Sequence, residues 1–244
     1  MTRTIVLVHG AWHRANCWDA LQKELRARGV TSHAVNLPSS ITGPIDGDLP
    51  GTDADAEAVR AVLDQVTGPV LLVGHSYGGV VISAIGKHRS IGGLVYLAAF
   101  CLATGESAFE LAVGDPPPLT AQALTVLDDG TCTIKPELAA ETFYGDLPAD
   151  EANKRARSLV PTTLSVFTNP TEGSPLWQHL PATYIVCEAD RAISPDRQEF
   201  MAKRATNDIV RLETSHSPFV SRPAAVADIL VSRLAKLTQS TVKP

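Results

Sequence analysis

Charged residues are scarce in this chain and aromatic ones scarcer: Asp, Glu, Lys and Arg make up 19% of it, and Phe, Trp and Tyr 5%. The 21 Lys and Arg are outnumbered by 26 Asp and Glu, giving a net charge of −5. They gather into no basic stripe, so the surface that binds nucleic-acid phosphates is missing. Cysteine is also sparse. Cys17, Cys101, Cys132 and Cys187 stand far apart, with no CxxC pair and no histidine at metal-ligand spacing. That argues against a zinc site or a disulfide framework and fits reduced, mostly buried thiols. No apolar run reaches the length of a membrane span, and "MTRTIVLVHG" holds too short a run for a signal-peptide core. The expectation is a soluble, cytoplasmic protein with no nucleic-acid partner, no membrane contact and no metal or other cofactor.

Hydrophobic residues, by contrast, reach 44% over 244 residues, enough for the core of one large domain. Aliphatic runs at Ile5–Val8, Val30–Leu37, Val70–Val73, Gly92–Phe100, Ala182–Glu188 and Ile209–Leu212 read as strands. Between them lie segments of helical period. Cys17–Arg28 is one, ended by Gly29, and Ala54–Val66, Tyr77–Lys87, a helix opened by Ser194 and Pro195, and Pro223–Leu237 are others. Repeated strand–helix–strand units predict an α/β fold, a mainly parallel sheet of about six strands flanked by helices. The alternation breaks after Phe100. Residues 101–176, with prolines at 116–118, a hairpin-like "DDGT" and helical pieces near Pro136–Phe143 and Ala149–Leu159, are expected to form an inserted, mostly helical cap. Residues 1–100 and 177–244 would then form the core. Only three residues precede the first strand at Thr4, which leaves no room there for an extra antiparallel hairpin.

The chemistry is concentrated at "VLLVGHSYGG", Val70–Gly79. A Gly-x-Ser-x-Gly pentapeptide is a weak signal alone. Placed where a buried strand turns into a helix, it presents Ser76 at the carboxyl ends of the strands, where open α/β sheets bind ligands. A serine hydroxyl needs a base to take its proton. Of the seven histidines, His216 in "RLETSHSPFV" follows the last predicted strand at the same sheet edge and is the favoured base. His9 and His75 flank glycine turns, His33 lies in a strand, His88 at a helix end, and His13 and His179 in loops. Asp190 in "CEADRAISP" is the favoured carboxylate to orient the imidazole, with Glu188 the runner-up. Oxyanion donors would be the backbone N–H groups of Tyr77 and of Ala11, the latter on a loop that Gly10 allows to approach Ser76.

With "VLVHGAWH", "GHSYGG", "CEADRAI" and "SHSPFVSRP" in this order, the chain resembles an α/β-hydrolase over nearly its whole length. These motifs closely resemble those of the plant methylesterase and hydroxynitrile lyase group and its bacterial esterase relatives. The resemblance implies Ser76 as nucleophile, His216 as base, Asp190 as acid, oxyanion donors Ala11 and Tyr77, and an apolar pocket under the cap. Candidate contacts to substrate are Gly10, Trp12, His13, Phe109, Phe143, Phe167 and Trp177, with Leu119 and Leu164 as further wall residues. Hydroxynitrile lyases of this group typically carry Thr or Asn where Gly10 stands, and one subgroup has Lys where Ser217 follows His216. Both departures point to an esterase, and the few charges in residues 101–135 to a small apolar ester as substrate; a homodimer is the expected assembly if the chain associates. Lyase or cofactor-free cyclase chemistry on the same three residues, and a non-enzymatic binding protein, stay open as alternatives.

Overall fold

The computed structural model describes residues 4–113 and 117–240, so Pro116 of the expected proline run lies outside the described residues. Six strands form one sheet: β1 (Thr4–Val8), β2 (Thr31–Val35), β3 (Val70–His75), β4 (Ile91–Leu97), β8 (Ala182–Cys187) and β9 (Ile209–Leu212). Their order is β2-β1-β3-β4-β8-β9, and every pairing is parallel. The central strands are buried along their whole length, as continuous aliphatic runs require when both faces are covered.

Helices α1 (Asp19–Ala27), α2 (Thr52–Gln65), α3 (Gly78–Ala84), α9 (Pro195–Ala205), α10 (Pro218–Ser221) and α11 (Pro223–Ser240) complete this core. Leu21 and Leu25 of α1 are fully buried, the stripe that their spacing predicts, with Trp18 just ahead of the helix. Several elements are shorter than expected, among them the strand expected to reach Phe100, which ends at Leu97 before the left-handed Ala98 (φ +44°). The second strand loses Val30, which follows the left-handed Gly29 (φ +71°), and Leu37, whose N–H donates to His9 Nε2 instead of a neighbouring strand. Helix α3 ends at Ala84, and Gly86 (φ +70°) then turns the chain away.

Between β4 and β8, the described residues of 101–176 contain five short helices: α4 (Ala108–Ala112), α5 (Leu119–Ala123), α6 (Pro136–Tyr144), α7 (Ala149–Ala156) and α8 (Ser165–Thr168). They also contain a three-stranded antiparallel sheet of β5 (Leu124–Val126), β6 (Thr131–Ile134) and β7 (Thr162–Thr163), in the order β5-β6-β7. Its β5–β6 turn is the "DDGT" stretch. Gly130 takes φ +81°, and the Asp129 carboxylate accepts from Thr131 N–H (2.9 Å) and its hydroxyl (2.6 Å), a side-chain-closed turn.

Among the described residues, no helix is long and apolar enough to cross a membrane. No group of three or more His, Cys, Asp or Glu there could hold a metal ion. All four cysteines are free thiols.

Candidate active site

β3 ends at His75 and α3 begins at Gly78, so the strand-to-helix turn is made by Ser76 and Tyr77. Ser76 sits at φ +53°, a left-handed conformation that costs a non-glycine residue about 1 kcal/mol or more. Backbone bonds hold it there: Ser76 N–H donates to Leu97 O (3.3 Å), and Ser76 O accepts from Gly79 N–H (3.0 Å) and Phe100 N–H (3.1 Å). The turn is possible only because backbones touch. A Cβ on Gly74 would lie 2.5 Å from Gly78 O, and one on Gly78 would lie 2.5 Å from Val8 O. The loop after β1 is equally close, since a Cβ on Gly10 would come within 2.7 Å of Ser76 Cβ.

His216 is fully buried, on the loop between β9 and α10. Its Nδ1–H donates to Asp190 Oδ2 at 2.6 Å. A carboxylate accepts and does not donate, so this bond fixes the tautomer and leaves the Nε2 lone pair free. Nε2 has no hydrogen-bond partner, and no bond links it to the Ser76 hydroxyl. The two segments are nonetheless tied. His75 Nε2–H donates to His216 O (2.9 Å), and their rings lie 4.5 Å apart.

Asp190 is 5% exposed, just past the end of β8. Its Oδ1 accepts from the N–H groups of Ala192 (2.7 Å) and Ile193 (3.0 Å), and its Oδ2 accepts from Gln198 Nε2 (2.7 Å) as well as His216. Glu188 is exposed, and its backbone N–H continues the sheet to Leu212 O. Gln198 was not foreseen from the sequence. It is fully buried and also bonds Cys187 N–H and Ile193 O, so it holds the Asp190 loop from three sides. Its signal was present: Gln198, Met201 and Ala202 share the buried stripe of α9, and a polar residue on such a stripe needs a partner.

Neither Ala11 N–H nor Tyr77 N–H has a partner among the described residues. The Tyr77 hydroxyl donates to Asp55 Oδ2 at 2.6 Å. Asp55, a second unforeseen residue, is buried without a cation, and burial raises its pKa above the usual carboxylate range. Three further histidines crowd the site, and burial holds all of them neutral. His9 falls to about 4, His13 to about 3, and His75 well below the usual value.

Ser76 opens into a cavity of about 340 Å3 whose lining, among the described residues, includes no charged side chain. Trp12, Phe109, Phe143, Leu164 and Phe167 line it as expected, joined by Phe100, Ile193 and residues of α4 and α5. Phe109 stands at its mouth, 57% exposed. Three expected wall residues lie elsewhere. His13 turns to Tyr144, accepting its hydroxyl at Nε2 (2.8 Å) and meeting Ala11 O through Nδ1 (2.8 Å). Trp177 donates its indole N–H to Leu102 O (2.9 Å) beneath the Arg204 guanidinium, and Leu119 is buried outside the lining. A larger groove of about 490 Å3 over the β2 edge shares no residue with this cavity.

Comparison with known proteins agrees with this fold. Residues 5–229 match the model of the "Alpha/beta hydrolase family". A pyrethroid hydrolase of Sphingobium wenxiniae is 32% identical, over 93% of this chain and 85% of its own. Methylesterase 1 of Arabidopsis thaliana is 29% identical, over 91% and 92%. Among solved structures, a pyrethroid hydrolase of Sphingobium faniae JZ-2 superposes with a TM-score of 0.84 at 26% identity, covering 96% of this chain and 98% of its own. On the fold, the motif order and these matches together, the chain belongs to the α/β-hydrolase family.

Proposed function

We propose that the protein is a carboxylic ester hydrolase acting through an acyl-enzyme on uncharged, largely apolar esters. The observation that carries the reading is the buried His216–Asp190 pair, with its free Nε2 beside the left-handed turn of Ser76. His216 Nε2 takes the Ser76 proton as Oγ attacks the ester carbonyl, and the negative charge that develops on the carbonyl oxygen is met by Ala11 and Tyr77 N–H. The imidazolium returns the proton to the departing alkoxide, which leaves as the alcohol. Water then attacks the acyl-enzyme, giving up a proton to the same nitrogen; the acid is released and Ser76 regains its hydrogen. An ionic substituent entering this cavity would lose hydration and find no charged side chain among the described lining residues, which favours neutral substrates. The esterases and hydrolases among the relatives support the reaction class.

The test is covalent. A fluorophosphonate should label the wild-type protein at Ser76, located by peptide mass mapping, and p-nitrophenyl butyrate should be hydrolysed. Folded Ser76→Ala should do neither. Labelling at another residue, or ester turnover that survives the substitution, would remove Ser76 from the mechanism.

Gly10 offers a second check. A threonine there puts a Cβ 2.7 Å from Ser76 Cβ and 3.0 Å from His75 Nδ1, so the loop that carries Ala11 must withdraw. Gly10→Thr is expected to lower kcat for the same ester about 100-fold, the scale of a lost oxyanion donor. A kcat within threefold of wild type would show that Ala11 does not serve as a donor.

A further inference from the structure

Trp12 directly follows Ala11, and like Ser76 it is left-handed, at φ +62°. A bulky aromatic residue keeps that conformation only when its surroundings over-determine it. Among the described residues, its hydrogen bonds all run to residues 101–176. Trp12 N–H donates to Thr162 Oγ1 (2.7 Å), its indole N–H to Cys132 O (3.1 Å), and its carbonyl accepts from Val160 N–H (2.9 Å). The ring stacks on Phe167 with centroids 5.1 Å apart. The Thr162 hydroxyl thus takes up the Trp12 N–H and leaves Ala11 N–H as the free donor of the loop.

The contacts continue across the molecule. Thr163, the next residue of β7, donates its N–H to Ser39 O (3.0 Å). Ser39 gives both its N–H (2.9 Å) and its hydroxyl (2.6 Å) to the Asp55 carboxylate, which also accepts the Tyr77 hydroxyl. Thr162, Ser39, Asp55 and Tyr77 are fully buried, and Trp12 is 4% exposed. One water-excluded run of polar contacts therefore joins the residue beside one unpartnered donor to the residue that bears the other. Its middle section belongs to the inserted segment.

We infer that Thr162 and Asp55 are positioning residues that set the spacing of the Ala11 and Tyr77 N–H groups through this strap, making the inserted segment a structural part of the oxyanion site. The inference rests on the ester hydrolase reading above. Neither residue touches substrate. Each acts on a donor whose placement matters most when charge develops, so its loss falls on kcat and spares KM.

The experiment is a double-mutant cycle on p-nitrophenyl butyrate hydrolysis with Thr162→Val and Tyr77→Phe, which cut the strap at its two ends without changing side-chain shape much. Thr162→Val is expected to lower kcat about 10- to 100-fold with KM within threefold, the range that small misplacement of catalytic groups produces. Tyr77→Phe is expected to lower kcat about 5- to 10-fold, and the double variant to lose less than the product of the two, because the strap is cut only once. Thr162→Ser, which keeps the acceptor oxygen, should stay within threefold of wild type. A Thr162→Val enzyme within twofold of wild type, or fully multiplicative losses, would overturn the inference. If Thr162→Val does not fold, amide exchange in the wild-type protein decides: Trp12 N–H protected like the central sheet supports the strap, and exchange at the rate of surface loops overturns it. Turnover that survives Ser76→Ala would instead defeat the ester hydrolase reading itself, a separate result.

Discussion

Asp190→Asn is expected to lower kcat for ester hydrolysis about ten-thousand-fold while the protein stays folded. The size follows from the partners of the carboxylate. All four groups around it donate: two backbone N–H groups reach Oδ1, and Gln198 Nε2 and His216 Nδ1 reach Oδ2. An asparagine keeps its carbonyl oxygen toward Ala192 and Ile193, since the reverse orientation would set its amide against two immovable backbone donors. Its NH2 then faces His216, which must turn Nδ1 into an acceptor and carry its proton on Nε2. That is the wrong tautomer for a base. Circular dichroism and kcat on p-nitrophenyl butyrate check the prediction together. A folded variant that keeps a tenth of the wild-type kcat would mean that Asp190 does not set the tautomer of His216.

Ser76, Asp190 and His216 are legible in the sequence because they stand at ends of strands that are easy to recognise. Ile5–Val8 and Val70–Val73 are uninterrupted aliphatic runs, the pattern of parallel strands covered on both faces, and they do lie at the centre of the sheet. Once those strands are placed parallel, Ser76, Asp190 and His216 fall on one sheet edge without further information. The residues that support them were harder to see. Gln198 and Asp55 lie on helices, each inside the buried stripe of its own helix, Asp55 with Val59 and Leu63 and Gln198 with Met201 and Ala202. The phase of the helix shows that such a residue is buried, but not what it meets.

The inserted segment was the least legible. Strand β7 is two residues long, too short for any period, and Thr162 pairs with Cys132, which lies 30 positions earlier in the chain. Trp177 illustrates the same limit, since a loop aromatic has no periodic neighbours to give it a direction. Arg204 on α9, far along the chain, covers it instead.

Acidification is expected to destabilise this protein steeply from about pH 6.5 downward, by about 4 kcal/mol per pH unit near pH 5. His9, His13 and His75 are each fully or almost fully buried, and each has its folded pKa depressed, by burial first. In the unfolded chain the same side chains take up protons near pH 6.5. Below that value the unfolded state therefore binds up to three protons that the native state refuses, and every one is worth about 1.4 kcal/mol per pH unit. Above pH 7 neither state is protonated at these positions and the term vanishes. For His9 the loss continues to about pH 4 and for His13 to about pH 3, where the native state also accepts the proton. Asp55 works in the opposite direction, because its raised pKa lets the native state bind a proton before the unfolded chain does. Its offset is at most one proton against three. Urea unfolding followed by tryptophan fluorescence at pH 7.5, 6.5, 5.5 and 5.0 reads the slope directly. His13→Gln should remove about a third of it, since glutamine can keep the contact with Tyr144 but does not titrate. A wild-type slope below about 1.4 kcal/mol per pH unit between pH 6 and 5 would mean that two or more of these imidazoles are protonated in the folded protein.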